Sequence, residues 1–305
     1  MRLVADVGGS NCRFALSRSR QVLADTARNY SNSDWGSFDA VLGDYLARAT
    51  ALPTDMVFAV AGPVHGKTAQ LTNRNWGFDA DKLARDFGVA RVNLLNDLTA
   101  LGYAVPVLSA SQLHRIDAGS ANQSGAYQAL VVGIGTGFNV SPVLQIGDKT
   151  LCPSVEAGHV SLPSSIDRML RQQGLPADDF TTVEDLFSGR GFEKFCRLAT
   201  GKAQLGGKDA IALYGCQGAG DVTATIDLYA EMMGWLLRDL SLAYLPLSGF
   251  YLAGSVARAV LSVASAPCIS VLQGACPIKK YAQVPLSIVT DDHAALWGCA
   301  QYGAG

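Results

Sequence analysis

Charged residues are scarce in this sequence, and closely spaced cysteine pairs are absent from it. Only 16% of its 305 residues are Asp, Glu, Lys or Arg, whereas 49% are hydrophobic, a balance that favours large buried sheets in a globular protein. The formal net charge of -2 provides no basic surface that would hold a phosphate backbone, so nucleic acid is not expected as a partner. The length suits two domains of about 150 residues each.

The cysteines argue against two kinds of small stabilised fold. They are Cys12, Cys152, Cys196, Cys216, Cys268, Cys276 and Cys299. Their number is odd and no C-x-C or C-x-x-C pair occurs among them, which argues against a disulfide framework and against a structural zinc site. Unpaired thiols of this kind predict a reducing, cytoplasmic environment.

Signals for export and for membrane insertion are also missing. Asp6 and the glycines that follow it interrupt the basic-then-apolar pattern of a signal peptide, so export by that route is not expected. Two long segments, 118–147 and 259–278, carry no charge, but Gly, Pro, Asn, Ser and Gln break both of them. Neither is predicted to span a membrane, and both are expected to form buried sheet.

A pattern of strand, glycine turn and strand occurs twice along the chain. The predicted strands cover 2–6, 12–17 and 21–30 in the first copy, and 127–133, 138–145 and 150–155 in the second. The repetition predicts a structural duplication, in which two halves face each other across a cleft and each contributes a phosphate-binding turn.

Apolar spacing predicts the main helices. A helix is expected over 38–46, with Ser33 or Asp34 as its cap, and a long, largely buried helix over 222–244 that Pro246 ends. A strand over 250–253 and a closing helix over 292–302 complete the pattern.

Two glycine-rich turns could hold phosphate. In "DVGGS", Asp6 ends a strand, and Gly8 and Gly9 would let backbone N–H groups approach an anion beside the Ser10 hydroxyl, although an ordinary hairpin turn explains this stretch equally well. "GIGTG" over 133–137 offers the same chemistry around one threonine. It is not a dinucleotide fingerprint, because Phe138 replaces the last glycine, and no Walker motif occurs.

A third polar cluster, "LLNDLTA", presents Asn96 and Asp97 at the end of an apolar strand. An acid at the end of a strand commonly faces a cleft, and Asp97 could accept a proton from a hydroxyl that attacks phosphorus. The alternative interpretation is a helix N-cap, for which Asn and Asp are the usual residues.

Three weaker clusters follow. Glu156 and His159 lie three residues apart in "EAGH", where they could bind a ligand or zinc, although a single histidine near a turn is more often structural. Glu184 in "VEDLFSG" could bind a ligand or only begin a helix. In "YLAGS" over 251–255, two small residues after a strand would let a flat ring lie against the backbone.

Taken in order, the motifs D-x-G-G-S-N-x-R, L-T-N-x-x-W, N-D-x-T-A, G-x-G-T-G, E-x-G-H, E-x-x-x-S-G and A-G-S resemble the bacterial glucokinases, within the actin-like sugar kinase superfamily. The resemblance runs from Asp6 to the segment 291–298. It implies an α/β fold with two ribonuclease-H-like (actin-like ATPase) domains flanking a cleft. The small domain would cover 1–106 plus 291–305, and the large domain 107–290.

The resemblance also implies the activity, which is ATP-dependent phosphorylation of glucose at its 6-hydroxyl, a step of glycolysis, with Asp97 as general base. The implied sugar ligands are Asn96, Asp97, Glu156, His159 and Glu184. The implied nucleotide contacts are Gly8, Gly9, Ser10, Gly135, Thr136 and Gly137 for the phosphates, and Gly254 and Ser255 for adenosine. Asp6 would lie near Mg²⁺, binding it through water and the ATP phosphates.

No zinc-binding C-x-C-G element follows His159, so the chain resembles the zinc-free branch of these kinases, which are often cytoplasmic homodimers. It departs from the pattern at Asn139 and Ser154, which replace glycines, and at Ser255, which replaces the second glycine of the adenosine turn. Asn139 is expected to narrow the nucleotide site, and Ser255 to alter purine contacts or favour another phosphoryl donor such as polyphosphate.

Two other functions stay open from the sequence. The chain could phosphorylate another hexose such as mannose or fructose, since sugar choice depends on geometry. It could also be a catalytically weak sugar-binding protein, because three loop residues depart from the family pattern.

Overall fold

The computed structural model describes residues 1–119, 127–274 and 284–303. The chain divides into two compact units. The first unit comprises Met1–Ser109, Ile146–Cys152 and Asp291–Gly305, and the second comprises Ala110–Gln145 and Pro153–Thr290.

The first unit is built on a mixed sheet. Its elements are β1 (Arg2–Val7), β2 (Asn11–Arg18), β3 (Gln21–Val22), β4 (Arg28–Ser31), α1 (Phe38–Ala47), β5 (Asp55–Val60), β6 (Val64–His65), β7 (Thr68–Gln70), β8 (Gly77–Asp79), α2 (Ala80–Asp86), β9 (Arg91–Asn96) and α3 (Asp97–Ala104). The main sheet has the order β3-β2-β1-β5-β9, with β4 also paired to β2, and β6, β7 and β8 form a separate small sheet. β1 is antiparallel to β2 and parallel to β5, which is parallel to β9.

The second unit repeats this arrangement. Its elements are β10 (Leu113–Asp117), β11 (Gln128–Ile134), β12 (Phe138–Ile146), α4 (Ser164–Gln172), α5 (Val183–Leu186), α6 (Gly189–Thr200), α7 (Gly207–Leu213), α8 (Gly220–Tyr244), β14 (Gly249–Ala253), α9 (Ser255–Val263), α10 (Ser265–Leu272) and β15 (Leu286–Val289). β13 (Lys149–Leu151) follows β12 along the chain but belongs to the first unit. The last helix, α11 (Ala294–Gln301), also belongs to the first unit. Within the second unit β11 is antiparallel to β12 and parallel to β14, which is parallel to β15. The hairpin followed by two parallel strands therefore occurs in both units.

Alternation along β1 places its side chains on two different cores. Leu3, Ala5 and Val7 pack with α1 and α2 in one hydrophobic cluster, whereas Val4 packs with α3 and α11 in another. Because side chains two residues apart on a strand share a face, Asp6 lies on the same face as Val4. The core of the second unit is one cluster around the sheet and the long helix α8, whose Tyr229 is fully buried.

Several predicted elements differ from the observed ones. The third strand, expected over 21–30, is split by a 3₁₀ turn over Ala24–Thr26 into β3 and β4. Helix α1 is capped by Ser37, whose hydroxyl accepts from the backbone N–H of Ala40, and not by Ser33 or Asp34. The strand expected over 150–155 ends at Leu151. The apolar segment after 259 forms α9 and α10 and not sheet, and its last residues, 275–278, lie outside the described ranges.

No single helix in the described ranges is long and apolar enough to cross a membrane. Helices α9 and α10 meet that test only as a pair, bent by 95°.

The described cysteines differ in their exposure to solvent. Cys12 and Cys299 are buried in the first unit and Cys196 and Cys268 in the second, whereas Cys216 is exposed. Burial raises the pKa of Cys12, Cys196 and Cys268 to about 12. Cys276 lies outside the described ranges.

Helix α11 packs on α3 at a distance that only glycine permits. A Cβ built on Gly298 would lie 1.6 Å from the carbonyl oxygen of Ala100. The close contact joins the C-terminal helix to the helix that begins with Asp97.

We expect Gly298→Ala to lower the free energy of unfolding by about 1–3 kcal/mol, because the new methyl group must displace the backbone of α3. Gly43→Ala is the matched control, since Gly43 also lies in a helix but has no neighbouring atom within 4 Å of the place that a methyl group would take. That change should stabilise by about 0.5–1 kcal/mol. Urea titrations of both variants measure the difference, and equal effects would contradict the packing described above.

Candidate functional site

Parallel strands bring the polar residues of the first unit to one edge of its sheet. In the register of β1, β5 and β9, Asp6 pairs with Ala59 and Val60 pairs with Asn96. The loops that follow these strands therefore begin side by side. Carboxyl ends of parallel strands are where α/β proteins place their ligands.

Asn96 ends β9 and caps α3. Its Oδ1 accepts a hydrogen bond of 3.0 Å from the backbone N–H of Leu98, and its Nδ2 donates at 3.1 Å to the carbonyl oxygen of Gly62. The loop after β5 is tightly packed as well, because a Cβ on Gly62 would lie 2.0 Å from the carbonyl oxygen of Gln70. The N-cap interpretation thus applies to Asn96, and it fixes the direction in which the next residue, Asp97, leaves the strand.

Asp97 combines solvent access with dense protein surroundings. Its residue surface is exposed, yet desolvation by the surrounding atoms, and secondly the negative charge of Asp6, raise the pKa of its carboxyl to about 6. A hydrogen bond of 2.8 Å from the backbone N–H of Leu98 to Oδ1 opposes this shift. A carboxylate that is reachable and holds its proton more tightly than usual is suited to act as a general base.

Asp6 is the second acid of this edge. Burial raises the pKa of its carboxyl, and the adjacent Arg13 guanidinium partly offsets the rise. Arg13 Nη1 lies 3.1 Å from Asp6 Oδ2 and donates to the carbonyl oxygen of Asp292 at 2.9 Å. Asp6 therefore has one oriented partner and lies close enough to Asp97 to affect its ionisation.

The side chain of buried Asn32 binds the turn after β1. Asn32, with no exposed surface, donates from Nδ2 to the carbonyl oxygens of Gly8 at 2.8 Å and Gly9 at 3.1 Å. Its backbone N–H donates to the carbonyl oxygen of Ser10 at 2.8 Å. One residue thus fixes the carbonyls of three consecutive turn residues. Sequence reasoning missed Asn32, and nothing in its local sequence distinguishes it from a surface turn residue.

The glycine turns of the second unit also follow parallel strands. β11 leads to Gly135, β14 leads to Gly254, and a Cβ on Gly135 would lie 3.4 Å from Gly254 Cα. Gly254 has φ +93°, and a Cβ there would lie 2.3 Å from the carbonyl oxygen of Ile134. Ser255 begins α9 directly after this contact. The glycine backbones of the two turns therefore lie next to each other. Thr136 is exposed between Gly135 and Gly137.

Glu184 lies against the start of β12. Its Oε2 accepts from the backbone N–H of Phe138 at 2.9 Å, and its Oε1 lies 2.8 Å from Arg190 Nη2. A Cβ on Gly137 would lie 2.5 Å from Oε2. Gly137 is thus required to make room for a carboxylate as well as being part of the turn.

Glu156 directly precedes a single 3₁₀ turn over Ala157–His159, His159 ends it, and both residues are exposed. Gly158 permits the close packing of this turn, since a Cβ there would lie 2.4 Å from the carbonyl oxygen of Phe138. Asn139 Nδ2 donates to Glu156 Oε2 at 3.2 Å. Within the described ranges, no group of three or more His, Cys, Asp or Glu side chains is arranged to hold a metal.

Each unit therefore groups its own share of the predicted residues. The first unit groups two acids, an amide and a glycine turn at one sheet edge, and the second groups two carboxylates, an imidazole and two glycine turns. The predicted residues in the first unit are Asp6, Gly8, Gly9, Ser10, Asn96 and Asp97, and those in the second are Gly135, Thr136, Gly137, Glu156, His159, Glu184, Gly254 and Ser255. Carboxylates, amides and imidazole form several hydrogen bonds to hydroxyl groups, and bare glycine backbone suits phosphate.

Comparison with known proteins finds similarity to glucokinases. The glucokinase family profile matches residues 3–304. The glucokinase of Xanthomonas euvesicatoria pv. vesicatoria is 31% identical over 274 residues, covering 85% of this chain and 81% of that protein. The crystal structure of a glucokinase from an Antarctic psychrotroph has 26% identity and a TM-score of 0.84, covering 98% of this chain and 97% of that one.

A more distant structure, a ROK family glucokinase from Streptomyces griseus in complex with glucose and AMPPNP, has 18% identity and a TM-score of 0.61. The match covers 98% of this chain and 97% of that one. These likenesses confirm the predicted fold class, α/β with ribonuclease-H-like units of the actin-like ATPase type.

The electrostatic link between the two acids can be measured directly. We expect Asp6→Asn to lower the pKa of Asp97, because the substitution removes the neighbouring negative charge that contributes to its rise. Carboxyl-carbon NMR titration of Asp97 measures the shift. Asp55→Asn is the matched control, since Asp55 pairs with Arg2 at the opposite end of the same sheet. Equal titration of Asp97 in wild type and Asp6→Asn would refute the coupling.

Proposed function

The chain belongs to the glucokinase family, and we propose that it transfers the γ-phosphoryl group of ATP to the 6-hydroxyl of glucose, with Asp97 as the general base. The observation that carries this assignment is the Asp97 carboxyl, which is solvent-accessible at a strand end and has a pKa raised to about 6. A base with that pKa is ionised at neutral pH and still has appreciable proton affinity.

In the proposed reaction, Asp97 orients the 6-hydroxyl and accepts its proton as the oxygen attacks the γ-phosphorus. A bond forms between the sugar oxygen and phosphorus while the bond to the bridging oxygen of ADP breaks, so the products are glucose 6-phosphate and ADP. The remaining sugar hydroxyls bind to Asn96, Glu156, His159 and Glu184. The exposure of Glu156 and His159 supports this assignment, because both side chains are open to a ligand.

The ATP phosphates are assigned to the glycine turns, namely Gly8, Gly9, Ser10, Gly135, Thr136 and Gly137, and adenosine to Gly254 and Ser255. The tight packing at Gly254 supports this assignment, since a side chain there would clash with the carbonyl oxygen of Ile134, directly before the Gly135 turn. Backbone N–H groups and a hydroxyl are the donors that phosphate oxygens require.

Magnesium is assigned to Asp6. The fit is favourable because Mg²⁺ binds through one or two carboxylates and substrate phosphates, and Asp6 is an acid directly before a glycine turn, next to a second acid. When bound, Mg²⁺ neutralises charge on the phosphates. Arg13 holds Asp6 in place for this role.

We infer a small domain over 1–106 plus 291–305 and a large domain over 107–290, a cytoplasmic location and a role in glycolysis. A homodimer is expected from the resemblance alone.

The direct test is formation of glucose 6-phosphate from glucose and MgATP by the purified protein, alongside mannose and fructose. Asp97→Asn should lower kcat by about 10²-fold or more, because the amide cannot accept the proton, and should leave glucose binding within a few-fold of wild type. Asp81→Asn is the matched control, since Asp81 is also an acid in the first turn of a helix of this unit. A mild effect of Asp97→Asn would remove Asp97 from this role.

The raised pKa of Asp97 predicts an acid limb in the pH profile. Above pH 6 the carboxyl is mostly ionised and can accept a proton, and kcat/KM should fall as the pH drops through about 6, because protonation removes the base of the free protein. Steady-state rates over a range of glucose concentrations between pH 5 and 8 measure this limb. A profile that stays flat down to pH 5 while the protein remains folded would argue against the assignment.

A further inference from the structure

The Asn139 side chain binds three consecutive residues of the segment that carries Glu156. Its Nδ2 donates to the carbonyl oxygen of Val155 at 2.7 Å and to Glu156 Oε2 at 3.2 Å. Its Oδ1 accepts from the backbone N–H of Ala157 at 3.0 Å. One amide therefore holds the backbone on both sides of Glu156 and the Glu156 carboxylate itself.

Asn139 and Glu156 differ in how their backbones are fixed. Asn139 belongs to β12, where it pairs with Gly133 of β11, so its backbone is fixed by the sheet. Glu156 lies in a stretch without helix or strand. Among the described residues, Asn139 is the one whose side chain bonds the Glu156 carboxylate. The Asn139 amide thus links the exposed Glu156 carboxylate to the hydrogen-bonded backbone of the sheet.

The direction of the amide matters for its role. Its oxygen also accepts from the N–H of Val140 at 2.8 Å, which fixes its orientation and leaves Nδ2 facing two acceptors. The sequence predicted that Asn139 would narrow the nucleotide site. In the structure the side chain bonds Val155, Glu156 and Ala157, and narrowing of the nucleotide site stays a prediction.

We propose that Asn139 is a positioning residue for the sugar, which holds the Glu156 carboxylate in the orientation that binds hexose hydroxyls without touching the hexose itself. This inference rests on the proposed function, in which Glu156 is a sugar ligand. A charge-assisted hydrogen bond to a carboxylate stabilises one orientation of it, and ordering a ligand group before binding increases affinity.

The Asn139→Asp variant distinguishes orientation of the Glu156 carboxylate from structural support of the loop alone. Asn139→Asp keeps the acceptor for the Ala157 N–H but replaces the donor with a second carboxylate beside Glu156. At pH 8 the two carboxylates repel each other, and at lower pH one proton shared between them restores a hydrogen bond. Affinity for the sugar should then improve as the pH falls. The other charged and titratable groups near this segment are His159, Glu184 and Arg190, which are unchanged in every variant.

The experiment is isothermal calorimetry of glucose binding to the full chain between pH 5 and 8, with KM for ATP measured separately. We expect Asn139→Asp to raise the glucose Kd about tenfold at pH 8, equivalent to about 1.4 kcal/mol, and to recover most of this loss by pH 5. Asn139→Gly should raise the Kd by about three- to tenfold at every pH. The KM for ATP should change less than about twofold in both variants, since no phosphate contact is altered.

Gln128→Glu is the matched control. Gln128 also lies in the sheet of this unit and donates from its amide to a backbone carbonyl, that of Tyr244, at 2.6 Å. Its replacement should lower the thermal midpoint without changing the glucose Kd or its pH dependence. If the Asn139 variants behave like this control, Asn139 is only a structural brace and the inference is overturned.

The wild-type protein distinguishes this failure from failure of the proposed function. Wild type that phosphorylates glucose, with unchanged Kd in the Asn139 variants, overturns the positioning role alone. If wild type prefers mannose or fructose, the same comparison is made with that sugar. If wild type binds none of the three, both the proposed function and this inference are overturned.

Discussion

Close approach of backbone to backbone at a few glycines is the constraint on which the polar clusters of each unit depend. Gly62, Gly158 and Gly254 each lie so near a carbonyl oxygen that a methyl group would fall within 2.4 Å of it. The loop whose Gly62 accepts from Asn96, the turn after Glu156 and the turn before Ser255 are therefore packed directly on neighbouring main chain. Acids and amides on such loops gain a defined direction that flexible loops could not give them.

The electrostatics of the first unit follow from strand periodicity. Because Asp6 shares a face of β1 with Val4, it lies toward the cluster formed with α3 and α11, where water is largely excluded. Its charge then affects its neighbours. It raises the pKa of Asp97, and it also contributes to the raised pKa of the Cys299 thiol. Desolvation is the main cause of the raised pKa of Asp97, and the alternation of apolar and acidic residues in this short strand adds the charge of Asp6 to it.

Sequence reasoning recovered the parts of the fold that are encoded locally. The strand, glycine turn and strand of each unit and the long helix α8 follow from periodicity and turn chemistry, and the comparisons confirm the fold class. It failed at α9 and α10, because a short uncharged apolar run fits a buried helix as well as a strand. It also missed Asn32 and the contacts of the Asn139 side chain with the segment that carries Glu156, since these partners lie from 16 to 24 residues away in sequence. The individual site residues remain predictions.

The positions of the buried thiols have a practical consequence for studying this protein. Among the described residues, each unit contains two cysteines that are buried, Cys12 and Cys299 in one and Cys196 and Cys268 in the other. A thiol reacts through its thiolate, which burial suppresses. Pulse labelling followed by peptide mass spectrometry would therefore record when each unit opens, with exposed Cys216 as an internal reference. The native chain thus contains its own reporters of whether the two units unfold together or one after the other.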